Sequence, residues 1–155
     1  MTSMIEIVFK NDLESLRSAI SQGENVNECD GDGRTPLIHA AIENRLDLAR
    51  LLLDSGAQVD IQDMQGNTAL HYAAQEYHSE MASLLITVGN AQVDIADIHG
   101  NTPLWRAVFN SRGRGELILI LLRAGADRNH RNKRGKSPLD LTKTIANYAI
   151  EQFFV

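Results

Sequence analysis

The stretch Gly66-Asn67-Thr68-Ala69-Leu70-His71-Tyr72-Ala73-Ala74 recurs along the chain, and that recurrence limits the fold more than any other feature. Upstream it reads Gly33-Arg34-Thr35-Pro36-Leu37-Ile38-His39-Ala40-Ala41. Downstream it reads Gly100-Asn101-Thr102-Pro103-Leu104-Trp105-Arg106-Ala107-Val108, then Gly135-Lys136-Ser137-Pro138-Leu139-Asp140-Leu141. Successive glycines lie 33, 34 and 35 residues apart. A second series keeps step: Leu51-Leu52-Leu53-Asp54-Ser55-Gly56-Ala57, Leu84-Leu85-Ile86-Thr87-Val88-Gly89, and Leu121-Leu122-Arg123-Ala124-Gly125-Ala126-Asp127. A fixed period near 33 residues with such a helix start predicts stacked helical hairpins that bury their apolar faces only against their neighbours. Each Thr or Ser caps a helix with its hydroxyl. Proline directly after it sits where a missing N–H costs nothing. Leu70, Ala73 and Ala74 leave a thin face on which another helix lies closely.

The spacing predicts helices over Ile5 to Lys10 and Leu13 to Ser21, then near 36–43, 47–54, 69–76, 79–87, 103–110 and 115–123. Relative to the second unit, the third has its extra residue at Asn90, and Ser111-Arg112-Gly113-Arg114-Gly115 widens one helix–helix turn by two. The last unit starts at Ser137. Its second helix is expected over about Tyr148 to Val155, where Ile150, Phe153, Phe154 and Val155 either seal the stack or leave an apolar end that pairs with another chain.

These motifs resemble those of ankyrin-repeat proteins, over nearly all of the 155 residues. The resemblance implies an all-α solenoid of helix-turn-helix units joined by β-hairpin fingers. It forms one domain of about five repeats, approximately 1–32, 33–65, 66–99, 100–134 and 135–155. It also implies that Asp30, Asp63, Asp97 and Asn132, each three residues before a repeat glycine, bond the backbone of the finger turn, as short Asx side chains do readily. His71 stands where the family usually bonds neighbouring backbone. Ile38, Trp105 and Asp140 occupy that place elsewhere, which argues against a continuous histidine ladder.

Bulk properties narrow the function. One cysteine, Cys29, excludes an internal disulfide and fits a reducing compartment, so a cytoplasmic location is expected. No apolar run is long enough for a membrane span, and Met1 to Phe9 lacks the basic start of a signal peptide. Residues 1–105 carry 5 Lys/Arg against 16 Asp/Glu, and residues 106–155 carry 10 against 4. In a linear stack this makes one end acidic and the other basic, a field that orients a partner.

Candidate chemistry is sparse. Glu28-Cys29-Asp30-Gly31-Asp32-Gly33 has the alternating carboxylates of a calcium loop, but its first ligand is Glu and its twelfth place is His39 rather than glutamate. No Cys/His set has zinc spacing. No Ser/His/Asp or Cys/His arrangement has a recognisable context, and Arg112-Gly113-Arg114-Gly115 lacks the strand and lysine of a phosphate loop. No catalytic residue, metal or cofactor is therefore expected. The basic run 128–136 could contact phosphates, but a nucleic-acid site usually adds stacking aromatics or a reading helix. An acidic protein surface suits that run better, and the plainest reading is a solvated finger.

In the family, partners bind a concave groove made of fingertips and the exposed sides of the first helices. Carried onto this sequence, that surface takes Arg34, Met64, Gln65, Asn67, Ile98, His99, Asn101, Arg131, Lys133 and Arg134 from the fingers. From the helices it takes Glu43, Tyr72, Gln75, Glu76, Trp105, Arg106, Phe109 and Asn110. Met64, Ile98 and Phe109 are apolar where the repeat core does not need them, and aromatics beside arginine commonly dominate binding energy. The competing reading is that Trp105 and Phe109 fill space under the widened 111–115 turn. By resemblance, a short repeat domain of this kind is expected to be a stoichiometric inhibitor or immunity-type protein, monomeric before it binds. The alternatives are a scaffold bridging two proteins and, behind it, a nucleic-acid binder using 128–136.

Overall fold

The computed structural model describes residues 2–144 and 149–155. Its helices are α1 (Met4–Phe9), α2 (Leu13–Ser21), α3 (Pro36–Ile42), α4 (Leu46–Asp54), α5 (Ala69–Gln75), α6 (Ser79–Thr87), α7 (Pro103–Phe109), α8 (Glu116–Arg123) and α9 (Pro138–Thr144), followed by a 3₁₀ helix at Ile150–Phe154. They form two rows. The short odd-numbered helices pack on one another in chain order, and the even-numbered helices do the same behind them.

The starts are built as the sequence dictates. The hydroxyls of Thr35, Thr68 and Thr102 accept from the amides of Ile38, His71 and Trp105 at 3.2, 3.4 and 3.4 Å. Ser137 accepts from Asp140 N at 3.1 Å. Each such cap contributes about 1 kcal/mol. The inner row can be tightly stacked because its helices are thin: Ala40, Ala41, Ala73, Ala74 and Ala107 are wholly buried. Leu48, Leu52, Met81, Leu85, Leu117 and Leu121 fill the space between the rows.

The last unit departs from expectation. Its second element is a 3₁₀ turn rather than an α-helix, and the expected start at Tyr148 lies outside the described residues. The segment is nonetheless a seal. Ile150 and Phe154 are buried, Phe153 packs onto the backbone at Gly115, and Arg128 donates to the Phe154 carbonyl. Of the expected apolar end, only Val155 is left fully exposed.

The fingers also differ. Among the described residues they contain no β-strand. Each closes with one main-chain pair bond: Asp30 N to Arg34 O (3.0 Å), Asp63 N to Asn67 O (2.9 Å), Asp97 N to Asn101 O (3.0 Å), Asn132 N to Lys136 O (3.0 Å). An antiparallel pair needs the reciprocal bond as well. That amide is diverted into the Asx side chain. Oδ1 of Asp30 accepts from Asp32 N and Arg34 N, both at 2.9 Å, and Asp63, Asp97 and Asn132 repeat the arrangement. The expectation that these four residues bond the finger turn is met.

Neighbouring fingers are joined by one main-chain bond per step: Met64 N to Asp32 O, Ile98 N to Gln65 O, and Lys133 N to His99 O. Behind them a second series links units through side chains, with Asn27, Asp60 and Asp94 accepting from the amides of Gln58, Gln92 and Asp127.

Candidate functional site: the finger face of the inner helices

The side of α3, α5 and α7 that meets the fingers is organised by one residue per unit. Nine residues after each finger Asx stand His39, Tyr72, Arg106 and Leu141. The first three donate back to the second carboxylate oxygen. His39 Nε2 lies 2.7 Å from Asp30, the Tyr72 hydroxyl 2.5 Å from Asp63, and an Arg106 nitrogen 2.6 Å from Asp97. Burial, then Asp63, pushes the Tyr72 phenol up, so it stays protonated and can donate. Burial alone would raise Asp97, but Arg106 and the amides of Asn101 and His99 outweigh it and hold the carboxyl below its usual range. Leu141 cannot donate, and its finger carries neutral Asn132, whose amide donates instead to Asn101 at 2.8 Å.

Arg106 also donates to Asn67 at 2.9 Å and to Gln75, and Asn67 reaches Tyr72 at 3.5 Å. One polar network therefore runs under the second and third fingers. Arg34 lies beside it, 3.7 Å from Asp63 and with its guanidinium 5.6 Å from the Tyr72 ring centre.

This network decides which expected contact residues are available. Asn67 and Tyr72, expected on the binding surface, are buried at 5% and 8% exposure and spend their polar atoms inside the protein. Arg106, Arg34, Gln75, Asn101, Asn110 and Trp105 are half-buried, and Arg106 is tied to Asp97. Exposed are Glu43, Met64, Gln65, Glu76, Ile98, His99, Phe109, Arg131, Lys133 and Arg134.

Trp105 and Phe109, one turn apart on α7, stack with ring centres 5.3 Å apart and planes 10° apart. Phe109 is 59% exposed, and Met64 and Ile98 are 69% and 42% exposed. The widened turn is closed by other groups. The Tyr77 hydroxyl donates to Arg114 O at 2.5 Å, Arg114 covers the Tyr77 ring, and Ser111 is fully buried. Trp105 Nε1 is shielded yet has no acceptor among the described residues.

One exposed aromatic was not foreseen. Phe9 ends α1 as Ile42, Gln75 and Phe109 end α3, α5 and α7, and it is 52% exposed. It leans on His39, ring centres 4.8 Å apart, and so shares the finger face. The signal was its register, obscured because the first unit lacks the Thr-Pro-Leu start.

His39, His71, His78 and the calcium-like loop have structural occupations. His71 Nδ1 accepts from Thr68 N at 3.1 Å, which leaves the proton on Nε2 to meet Asn101 O at 3.1 Å. Burial, reinforced by the Arg106 charge, pushes His71 down to about 4. His78 Nδ1 faces Ala41 O at 3.1 Å. In the loop, Asp30 serves its finger and His39, and Glu28 accepts from Ile5 N at 3.4 Å.

Fold and face together define a helical repeat protein whose variable side chains are presented along one edge of a regular stack. A family model described as ankyrin repeats in three copies matches residues 4–97 and again 56–132. The chain belongs to the ankyrin-repeat family, whose repeats generally mediate protein–protein interaction and are typically not catalytic. Among curated proteins, none matches the sequence. No helix among the described residues is long and apolar enough to cross a membrane.

Proposed function

We propose that this chain is a stoichiometric protein-binding inhibitor, of the kind an immunity protein represents, and that it holds its partner against the finger face. The supporting observation is the exposed Phe109 ring stacked on half-buried Trp105, with Met64, Ile98 and Phe9 also exposed on that face. The core does not use these side chains, and apolar groups rimmed by charge mark interaction surfaces. The exposed large apolar side chains of α1 and α7 and of the fingers lie on this face, whereas α4, α6 and α8 carry none within their bounds. In this reading the chain catalyses nothing, works as a monomer in a reducing compartment such as the cytoplasm, and masks a partner's active or assembly surface.

Asn67, Tyr72 and Arg106 hold the surface in shape. Phe9, Met64, Ile98, Trp105 and Phe109 supply the apolar contact, and Glu43, Glu76, Lys133 and Arg134 orient the partner. The test is capture from an extract of the source cell on immobilised protein, with Phe109→Glu and Ile98→Glu as controls. A retained protein lost with both variants, whose own activity falls to zero at one equivalent of added chain, supports inhibition. Two proteins retained together with their activities intact establish a scaffold instead. Retention indifferent to both variants removes the finger face from consideration.

A further inference from the structure

Two hollows share Trp105 as a wall. One, about 450 Å³, runs past Gln75, Glu76, Arg106 and Phe109. The other, about 250 Å³, opens between the third and fourth fingers and is lined by His99, Asn101, Trp105, Asn132, Lys133 and Arg134. No carboxylate lines the second hollow. Asn132 stands there in the place that Asp30, Asp63 and Asp97 hold in the other fingers.

The cations of the finger face fall into two groups. Arg34, Arg106 and Arg131 each lie within 4.0 Å of an aspartate, at 3.7 Å from Asp63, 2.6 Å from Asp97 and 3.2 Å from Asp140. Lys133 and Arg134 are exposed, and among the described residues neither has a carboxylate in that range. The fold uses the first group and makes no use of the second.

We infer that the hollow between the third and fourth fingers seats a carboxylate side chain from an acidic segment of the partner protein, while an adjacent large apolar side chain of that segment lies on the Trp105–Phe109 stack. The inference rests on the finger-face reading above and adds the partner's chemistry. Three features fix the choice: unneutralised cations, an aromatic platform adjoining them, and the acidic remainder of the face. Asp32, Glu43 and Glu76 are exposed along it, and residues 1–105 hold 16 Asp/Glu against 5 Lys/Arg. A polyanion tracking the face would be repelled there. A protein segment with one or two acids at the basic end is not.

The test selects binders from a displayed random peptide library on the full chain at physiological salt, then measures the synthesised winners by fluorescence anisotropy. Enrichment of Asp or Glu next to a large apolar residue is expected. Lys133→Glu/Arg134→Glu, at exposed positions that leave the core intact, should weaken those peptides about tenfold. The same peptides with Lys for the acids should recover on the reversed protein, an exchange that a merely structural role would not produce. Acid-free winners that still need Phe109 overturn the carboxylate seat and leave the finger-face reading standing. Winners indifferent to Phe109→Ala, Trp105→Ala and the charge reversal overturn both. A single-stranded oligonucleotide that displaces the peptides, binds more tightly and weakens steeply with salt also overturns the seat, in favour of nucleic acid.

Discussion

The third finger is anchored by Asp97 and the fourth by Asn132, and the contrast follows from what stands nine residues later. Arg106 brings a donor and a charge to Asp97. Leu141 brings neither, and the second oxygen of a carboxylate at Asn132 would be left without a donor. Both fingers reach the same closed turn through the same pair of Oδ1 bonds. What differs is the charge each solution leaves over. The third finger has a matched Asp97–Arg106 pair at its base and Ile98 and His99 at its tip, while the fourth is neutral at its base and carries Lys133 and Arg134 at its tip. The basic character of the fourth finger therefore comes from its tip and is not offset by a carboxylate beneath it.

The strongest way to break this comparison is Arg106→Leu. It strands the Asp97 carboxylate, which has no exposed side-chain surface, and should cost about 4 kcal/mol in urea unfolding. Adding Asp97→Asn copies the fourth finger into the third and should return most of that loss. A double-mutant cycle showing no recovery would mean that the two fingers are not interchangeable solutions.

Acid should separate the fingers next. His71 ties α5 to the third finger through Asn101 O, whereas Trp105, in the matching place on α7, makes no such bond to the fourth finger through its indole N–H. The folded pKa of His71, about 4, lies below its ordinary 6.5, so the folded protein binds fewer protons there. Its stabilisation is complete above pH 6.5 and is lost as pH falls towards 4, up to about 3 kcal/mol. Amide exchange over 97–101 should accelerate through that window before exchange over 132–136 does, and His71→Gln should flatten the difference.

Glycine gives a sharper, smaller contrast. A Cβ at Gly100 would meet Lys133 N at 2.9 Å and Asn132 Cα at 3.0 Å, whereas one at Gly135 would meet nothing. Both have positive φ, +78° and +70°. Gly135→Ala should therefore cost about 1 kcal/mol for the backbone alone, and Gly100→Ala about 2–3 kcal/mol because the fourth finger must also shift. Smallest is Asn132→Asp. It sets a carboxylate oxygen against Asn101 and should cost about 1 kcal/mol, readable as a small fall in the thermal midpoint.

The sequence made plain whatever is decided within a few residues. Thr68 before Ala69 announces a cap, and Trp105 with Phe109 is a pair one helical turn apart. The donors were harder to read. His39, Tyr72 and Arg106 look unrelated in sequence, and only folding shows that all three serve a carboxylate nine positions back. That is why Asn67 and Tyr72 read as surface residues while they work inside. The last unit misled for a different reason. The spacing of Ile150, Phe153 and Phe154 suits an α-helix, but the segment is a 3₁₀ turn that sets Phe153 against Gly115, where a side chain would leave no room for the ring.

The fingers touch their neighbours through a single main-chain bond at each step, set in file along the stack, while the helices behind them are locked by packed leucines and alanines. The Asn132–Asn101 bond adds a side-chain tie between the last two fingers. Exchanging a fingertip side chain therefore changes what the face offers at that one step, while the spacing of the row is kept by bonds that belong to the backbone.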